Sequence, residues 1–160
     1  MSRLRAAAAV AAALMAVAIP AYAADIVGDG EGNVLRGTPG PDTIHGRGGP
    51  DGISGRGGAD TLYGDKGSDV IYGNRGRDKI ITKAGDAANI INGGRGNDQI
   101  FPRGNDKVNA GAGADRVDAV YPGTSMMVNC GPGDDHLFFN EPHPGVTIKN
   151  CEHVKIVSAG

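Results

Sequence analysis

The stretch from Gly37 to Ile81 reads, in blocks of nine, GTPGPDTIH, GRGGPDGIS, GRGGADTLY, GDKGSDVIY and GNRGRDKII. All five blocks share one register without a gap: position 1 is Gly, position 4 is Gly, position 6 is Asp and position 8 is Ile or Leu. An α-helix presents no single face every nine residues and is weakened by this much glycine. A strand of about three residues followed by a tight glycine turn fits the pattern. The period predicts an all-β chain wound as a parallel β-solenoid.

The register extends in both directions with edits. Downstream, TKAGDAANIIN carries two extra residues, GGRGNDQIF fits fully, PRGNDKVN is one short, and AGAGADRVD fits apart from Ala110 at position 1. CGPGDDHLF, from Cys130, fits from its second residue onward, while Ala119 to Asn129 keeps Val128 at position 8 but has no Asp. Upstream, GDGEGNVLR from Gly28 is a worn copy with Asn33 in the Asp column. Down position 8 run Leu35, Ile44, Ile53, Leu62, Ile71, Ile80, Ile91, Ile100, Val108, Val117, Val128 and Leu137, every one aliphatic. These side chains are the expected core.

Residues 1–23 stand apart from the repeats. Ser2-Arg3-Leu4-Arg5, the apolar run Ala6 to Pro20 and the small-residue site Ala21-Tyr22-Ala23 have the order of a secretory signal peptide. The run is short for a membrane span, and no later stretch approaches the roughly 20 apolar residues that a transmembrane helix needs. Cleavage after Ala23 would leave fourteen Lys and Arg against eighteen Asp and Glu. That acidic balance, with no basic stripe, excludes a nucleic-acid binder. All 28 glycines fall after the leader and there is no Trp, so a conventional globular core is not expected.

The nonapeptide G-G-x-G-x-D-x-U-x, with U a large aliphatic, is that of RTX-type (hemolysin-type) calcium-binding repeat proteins, and the chain resembles their secreted bacterial form from Gly28 to about Phe138. The resemblance implies a right-handed parallel β-roll with two nonapeptides per coil, each repeat lying above the one two places earlier. Position-6 carboxylates of successive coils would then stand a few ångströms apart. Two unit charges at about 5 Å repel by roughly 0.8 kcal/mol in water and roughly 3 kcal/mol at an effective dielectric of 20, so such a column needs cations. Carboxylates and backbone carbonyls are hard ligands suited to several Ca²⁺ ions, and the repeats have no Cys or His at zinc or copper spacing. The expected ligands are Asp42, Asp51, Asp60, Asp69, Asp78, Asp98, Asp106, Asp115 and Asp135.

Alternation of repeats sorts these residues into two edges. One carries Asp42, Asp60, Asp78, Asp98, Asp115 and Asp135 in unbroken succession. The other carries Asn33, Asp51, Asp69, Asn89 and Asp106, then the Asp-free stretch, and is expected to be weakened where Asn replaces Asp.

Cys130 and Cys151, the only cysteines, are expected to pair as a disulfide in an oxidising compartment. The expected domains are a signal peptide at 1–23, the roll at 24–138 and a disulfide-tied cap at 139–160, with Phe138, Phe139, Val146, Ile148, Val154 and Ile156 as an apolar lid. His45, His136, His143 and His153 do not converge on any Ser or Cys in a recognisable nucleophile setting, and no G-x-S-x-G or H-E-x-x-H is present. No enzyme activity is expected. On the Asp-rich edge, Tyr63, Ile81 and Phe101 at position 9 would stack as an apolar stripe, the face expected to meet any protein or cell-surface partner. The leading expectation is a secreted calcium-binding module that folds on binding Ca²⁺. The alternative is a cell-surface adhesive or spacer protein that Ca²⁺ only stiffens.

Overall fold

A computed structural model describes residues 22–83, 87–120, 123–140 and 144–157. The expected leader lies, but for Tyr22 and Ala23, outside the described residues, as does His143. Among the described residues there are fifteen strands and no helix. They are β1 (Asp25–Val27), β2 (Val34–Arg36), β3 (Thr43–His45), β4 (Gly52–Gly57), β5 (Thr61–Asp65), β6 (Val70–Arg75), β7 (Lys79–Thr82), β8 (Ile90–Arg95), β9 (Gln99–Phe101), β10 (Lys107–Ala112), β11 (Arg116–Ala119), β12 (Met127–Asn129), β13 (His136–Phe139), β14 (Thr147–Lys149) and β15 (His153–Ile156).

Odd-numbered strands form one parallel sheet of eight and even-numbered strands a second of seven, each strand pairing with the one two places away. Chain that alternates between two sheets in this way is a β-solenoid with two strands per turn. The register follows the nonapeptide: Ile44 pairs with Leu62, Leu62 with Ile80, and Ile80 with Ile100, while Ile53 pairs with Ile71 and Ile71 with Ile91 on the opposite sheet. The two-residue insertion after Thr82 falls partly outside the described residues, yet the pairing on both sides of it stays in phase.

Position 8 points inward throughout the repeats. Ile44, Ile53, Leu62, Ile71, Ile80, Ile91, Ile100, Val108, Val117, Val128 and Leu137 are buried, and Ile26 and Leu35 pack partly buried against them at the first turn. Each fully buried aliphatic of this kind contributes about 1.5–3 kcal/mol of transfer free energy. A core only two side chains thick per turn has little else apolar to draw on.

Between strands the chain reverses on the glycine at position 4, which takes left-handed φ at Gly58 (115°), Gly76 (127°) and Gly96 (131°). A methyl group on Gly76 would strike the carbonyl of Gly58 in the coil before it. Position 2 is left-handed as well, although it holds Arg47, Arg56, Asp65 and Asn74, with φ of 71°, 75°, 61° and 78°. Non-glycine residues in this region each cost on the order of 1 kcal/mol or more, so the turns carry strain that the packing of the sheets must offset.

The strands go on past residue 138. The expected cap takes the form of two further strands in register, β14 on β12 and β15 on β13. Cys130 and Cys151 are disulfide-bonded across these last coils. Of the expected lid, Phe139 is buried and Val146 and Ile148 pack against the core, but Val154 and Ile156 are exposed on the terminal strand. Tyr63, Ile81 and Phe101 do stand side by side in register on the odd-numbered sheet. They are half-buried: His45 stacks on Tyr63 at 4.2 Å between ring centroids, and Lys79 Nζ lies 5.6 Å from the Phe101 ring.

Candidate metal centre

The aspartate at position 6 is the last residue of each turn, immediately before a strand. Its backbone is held by the ladder on one side: the carbonyl of Asp42 accepts from Thr61 N–H, that of Asp60 from Lys79, and that of Asp78 from Gln99. Its side chain is held on the other. The Asp60 Oδ1 accepts the backbone N–H of Asp42 at 2.8 Å, Asp78 that of Asp60 at 3.0 Å, Asp98 that of Asp78 at 2.9 Å, Asp115 that of Asp98 and Asp135 that of Asp115, both at 2.8 Å. One carboxylate oxygen per residue therefore stitches each coil to the coil before it. The shorter edge repeats the device, from Asn33 to Asp51, Asp51 to Asp69, Asp69 to the Asn89 side-chain oxygen and Asn89 to Asp106.

All nine aspartates singled out from the sequence are buried in these two columns, divided between the edges as their register requires. The structure separates them by what the second carboxylate oxygen meets. In Asp51, Asp60, Asp69, Asp78, Asp98, Asp115 and Asp135, Oδ2 is buried with no hydrogen-bond partner. Buried polar atoms are almost always satisfied, so seven in register need an explanation. In Asp42 and Asp106 the oxygen is already served. Thr38 donates to Asp42 through its N–H and its hydroxyl, and Asp106 Oδ2 accepts from the Thr82 hydroxyl at 2.6 Å and Arg103 N–H at 2.9 Å. Asp106 Oδ1 meanwhile accepts both the backbone N–H and the side-chain amide of Asn89, each at 2.9 Å.

In Asp51, Asp60, Asp69, Asp78 and Asp98 the partnerless oxygen points into the turn beside the position-1 glycine, whereas Asp115 and Asp135 have Ala110 and Cys130 at that position. A methyl group built on Gly46 would lie 2.5 Å from Asp51 Oδ2 and 2.6 Å from the carbonyl oxygen of Gly64 in the next coil. Gly55 and Gly73 stand in the same relation to Asp60 and Asp78, as Gly93 does to Asp98. At Gly46, Gly55, Gly73 and Gly93 carboxylate and carbonyl oxygens thus border one small space, kept open because no Cβ fills it.

The electrostatics agree with the geometry. Burial is the largest cause raising the carboxyls of Asp60 and Asp98 to about 7 and those of Asp69 and Asp115 to about 6, with neighbouring aspartates pushing the same way. Burial likewise raises Asp51, Asp78 and Asp135 above the ordinary carboxylate value. The hydrogen bond from the preceding coil opposes the rise in every case and does not cancel it. His136 beside Asp135 apart, no cation is among the causes acting on these groups, and a hard divalent cation is what their oxygens fit.

Sequence reasoning missed both ends of the ladders. Glu152 extends the long edge, its Oε2 accepting the Asp135 N–H at 3.1 Å. Val154, standing two residues on as Leu137 stands to Asp135, was the available signal. On the short edge the position after Asp106 is Met126, fully buried, whose carbonyl accepts Thr147 N–H. An apolar side chain there ends the column.

A two-sheet parallel solenoid with buried aspartates stacked in its turns defines the class of cation-binding β-rolls. Within it, the chain belongs to the RTX calcium-binding nonapeptide repeat family, whose four-copy model matches residues 27–62, 46–80, 54–87, 83–101 and 103–119, more than half of the sequence. No curated protein and no solved structure matches the chain. The family's repeats bind calcium, and the buried aspartate ladder fits that property.

Proposed function

We propose that this chain is a secreted, non-enzymatic calcium-binding module in which Ca²⁺ completes the aspartate ladder and thereby allows the roll to fold. The observation that carries the reading is the set of seven buried, partnerless Oδ2 atoms in register. In the unfolded chain the oxygens that share a site lie about two repeats apart in sequence, so binding and folding become one event. Asp60, Asp78, Asp98, Asp115 and Asp135 would hold the longer run of ions, and Asp51 with Asp69 the shorter. The signal-like order of residues 1–23 supports export to a compartment where Ca²⁺ is plentiful.

Calcium titration calorimetry on Asp78→Asn and Asp106→Asn tests the assignment. Asp78→Asn removes charge from a partnerless site and should raise the half-saturating Ca²⁺ concentration by about tenfold or more. Asp106→Asn should change calcium affinity little. It turns an oxygen that accepts two hydrogen bonds into a donor, so it should lower the melting point in saturating Ca²⁺, at a cost of about 1–3 kcal/mol. Equal effects of the two variants on calcium binding would defeat the proposal.

An adhesive or spacer role rests on the Tyr63, Ile81 and Phe101 stripe. His45 and Lys79 cover part of it, which leaves that reading the weaker of the two.

A further inference from the structure

At the last turn of the roll, outside the aspartate columns, His153 comes together with Asp134 and His136, seventeen and more residues earlier in the chain. His136 opens β13 and His153 opens β15, and the two are register partners on adjacent parallel strands. Their rings stack at 4.6 Å between centroids. Asp134 lies in the turn before β13, with Oδ1 2.8 Å from His153 Nε2. One ligand atom from each of the three falls within 4.8 Å of the others.

We propose that Asp134, His136 and His153 form a second metal site, for a single imidazole-preferring divalent ion of the zinc class, chemically distinct from the calcium ladder. The donor set is two imidazole nitrogens and one carboxylate oxygen, the combination used by three-ligand zinc sites that keep a fourth position for water. Zinc bonds of about 2.0–2.2 Å at tetrahedral angles put ligand atoms roughly 3.3 Å apart. The trio's ligand atoms stand within 4.8 Å of one another and all three side chains are exposed, so side-chain rotation is the movement that would close the remaining gap. Ca²⁺ is a poor competitor, because it takes oxygen ligands and two of the three donors here are nitrogens.

A second feature favours a site over a chance encounter. Cys130 and Cys151 are disulfide-bonded, four residues before Asp134 and two before His153. The covalent link holds the two ligand-bearing segments together before any metal arrives, so the ordering cost of chelation is reduced. A shallow depression lined by His136, Phe138, Glu152, His153 and Lys155 gives the ion access from solvent. Bound there, the metal would clip β15, the edge strand, onto β13.

Zinc titration calorimetry on the unreduced chain, at pH 7.5 with Ca²⁺ held at several millimolar, tests the site. One equivalent of Zn²⁺ should bind at micromolar concentration. His153→Gln and Asp134→Asn should each weaken it at least tenfold, with circular dichroism in Ca²⁺ confirming that the roll is intact, whereas His45→Gln should leave it unchanged. Absence of Zn²⁺ binding up to a millimolar, binding that His153→Gln does not weaken, or loss of bound Zn²⁺ as Ca²⁺ is raised would each overturn the proposal.

Discussion

At the residue scale, each ladder aspartate divides its work between two oxygens. Oδ1 joins coil to coil through a backbone N–H, and Oδ2 faces the turn; where Thr38 or Thr82 supplies a hydroxyl, as for Asp42 and Asp106, the second oxygen is satisfied within the chain. The consequence for pH follows from the sign of the shifts. Asp60 and Asp98 are raised by burial to about 7 in the folded roll, and Asp69 and Asp115 to about 6, all from an ordinary value of 3.8. Between roughly pH 4 and 7 the calcium-free folded state therefore binds more protons than the unfolded chain, so its stability is greatest below that window and is lost as pH rises through it. In EDTA, far-UV circular dichroism should therefore show more residual β-sheet at pH 5 than at pH 8, where the calcium-free chain is unfolded. A calcium-free roll that is more stable at pH 8 would contradict the account of the carboxyls.

At the scale of the element, the repeat is a strand of a few residues and a turn whose backbone leaves no freedom at position 4. Gly76→Ala places a methyl group against the Gly58 carbonyl and forces alanine into a φ of 127°. It should lower the stability of the calcium-bound roll by about 2 kcal/mol or more, measured by denaturant unfolding in saturating Ca²⁺. An unchanged midpoint would mean that the turns relax more easily than their geometry implies. The strand and turn were both legible in the sequence, because position 8 must be aliphatic to face a core and position 4 must be glycine to reverse the chain. Less legible was position 2, where Arg47 and Arg56 adopt the left-handed conformation that the family's second glycine would take without strain. Nothing in an arginine announces that. Nor does the period reveal which aspartates have donors, since Thr82 reaches Asp106 across 24 residues of chain.

At the scale of the whole molecule, the roll is asymmetric. Its long edge runs without interruption from Asp42 to Glu152, tying every coil to the next, while on its short edge only Asp51 and Asp69 keep a partnerless oxygen, Asp106 being satisfied by Asn89, Thr82 and Arg103 and the column closed by Met126. Counting by nines separates the two edges, but the ends lie where the count breaks down, and there the sequence pattern gave less guidance. His136 and His153 illustrate the same limit: seventeen residues apart, they meet only because the last coil is one residue short of the regular eighteen. With a core two side chains wide and buried carboxylates that lack partners, the fold depends on what fills the turns. Far-UV circular dichroism at pH 8, titrated with Ca²⁺ and then with excess EDTA, measures that dependence directly. The account predicts a β-sheet signal that develops as Ca²⁺ reaches about 10⁻⁴ to 10⁻³ M and collapses when EDTA is added; a full β-sheet spectrum that neither Ca²⁺ nor EDTA alters would contradict it.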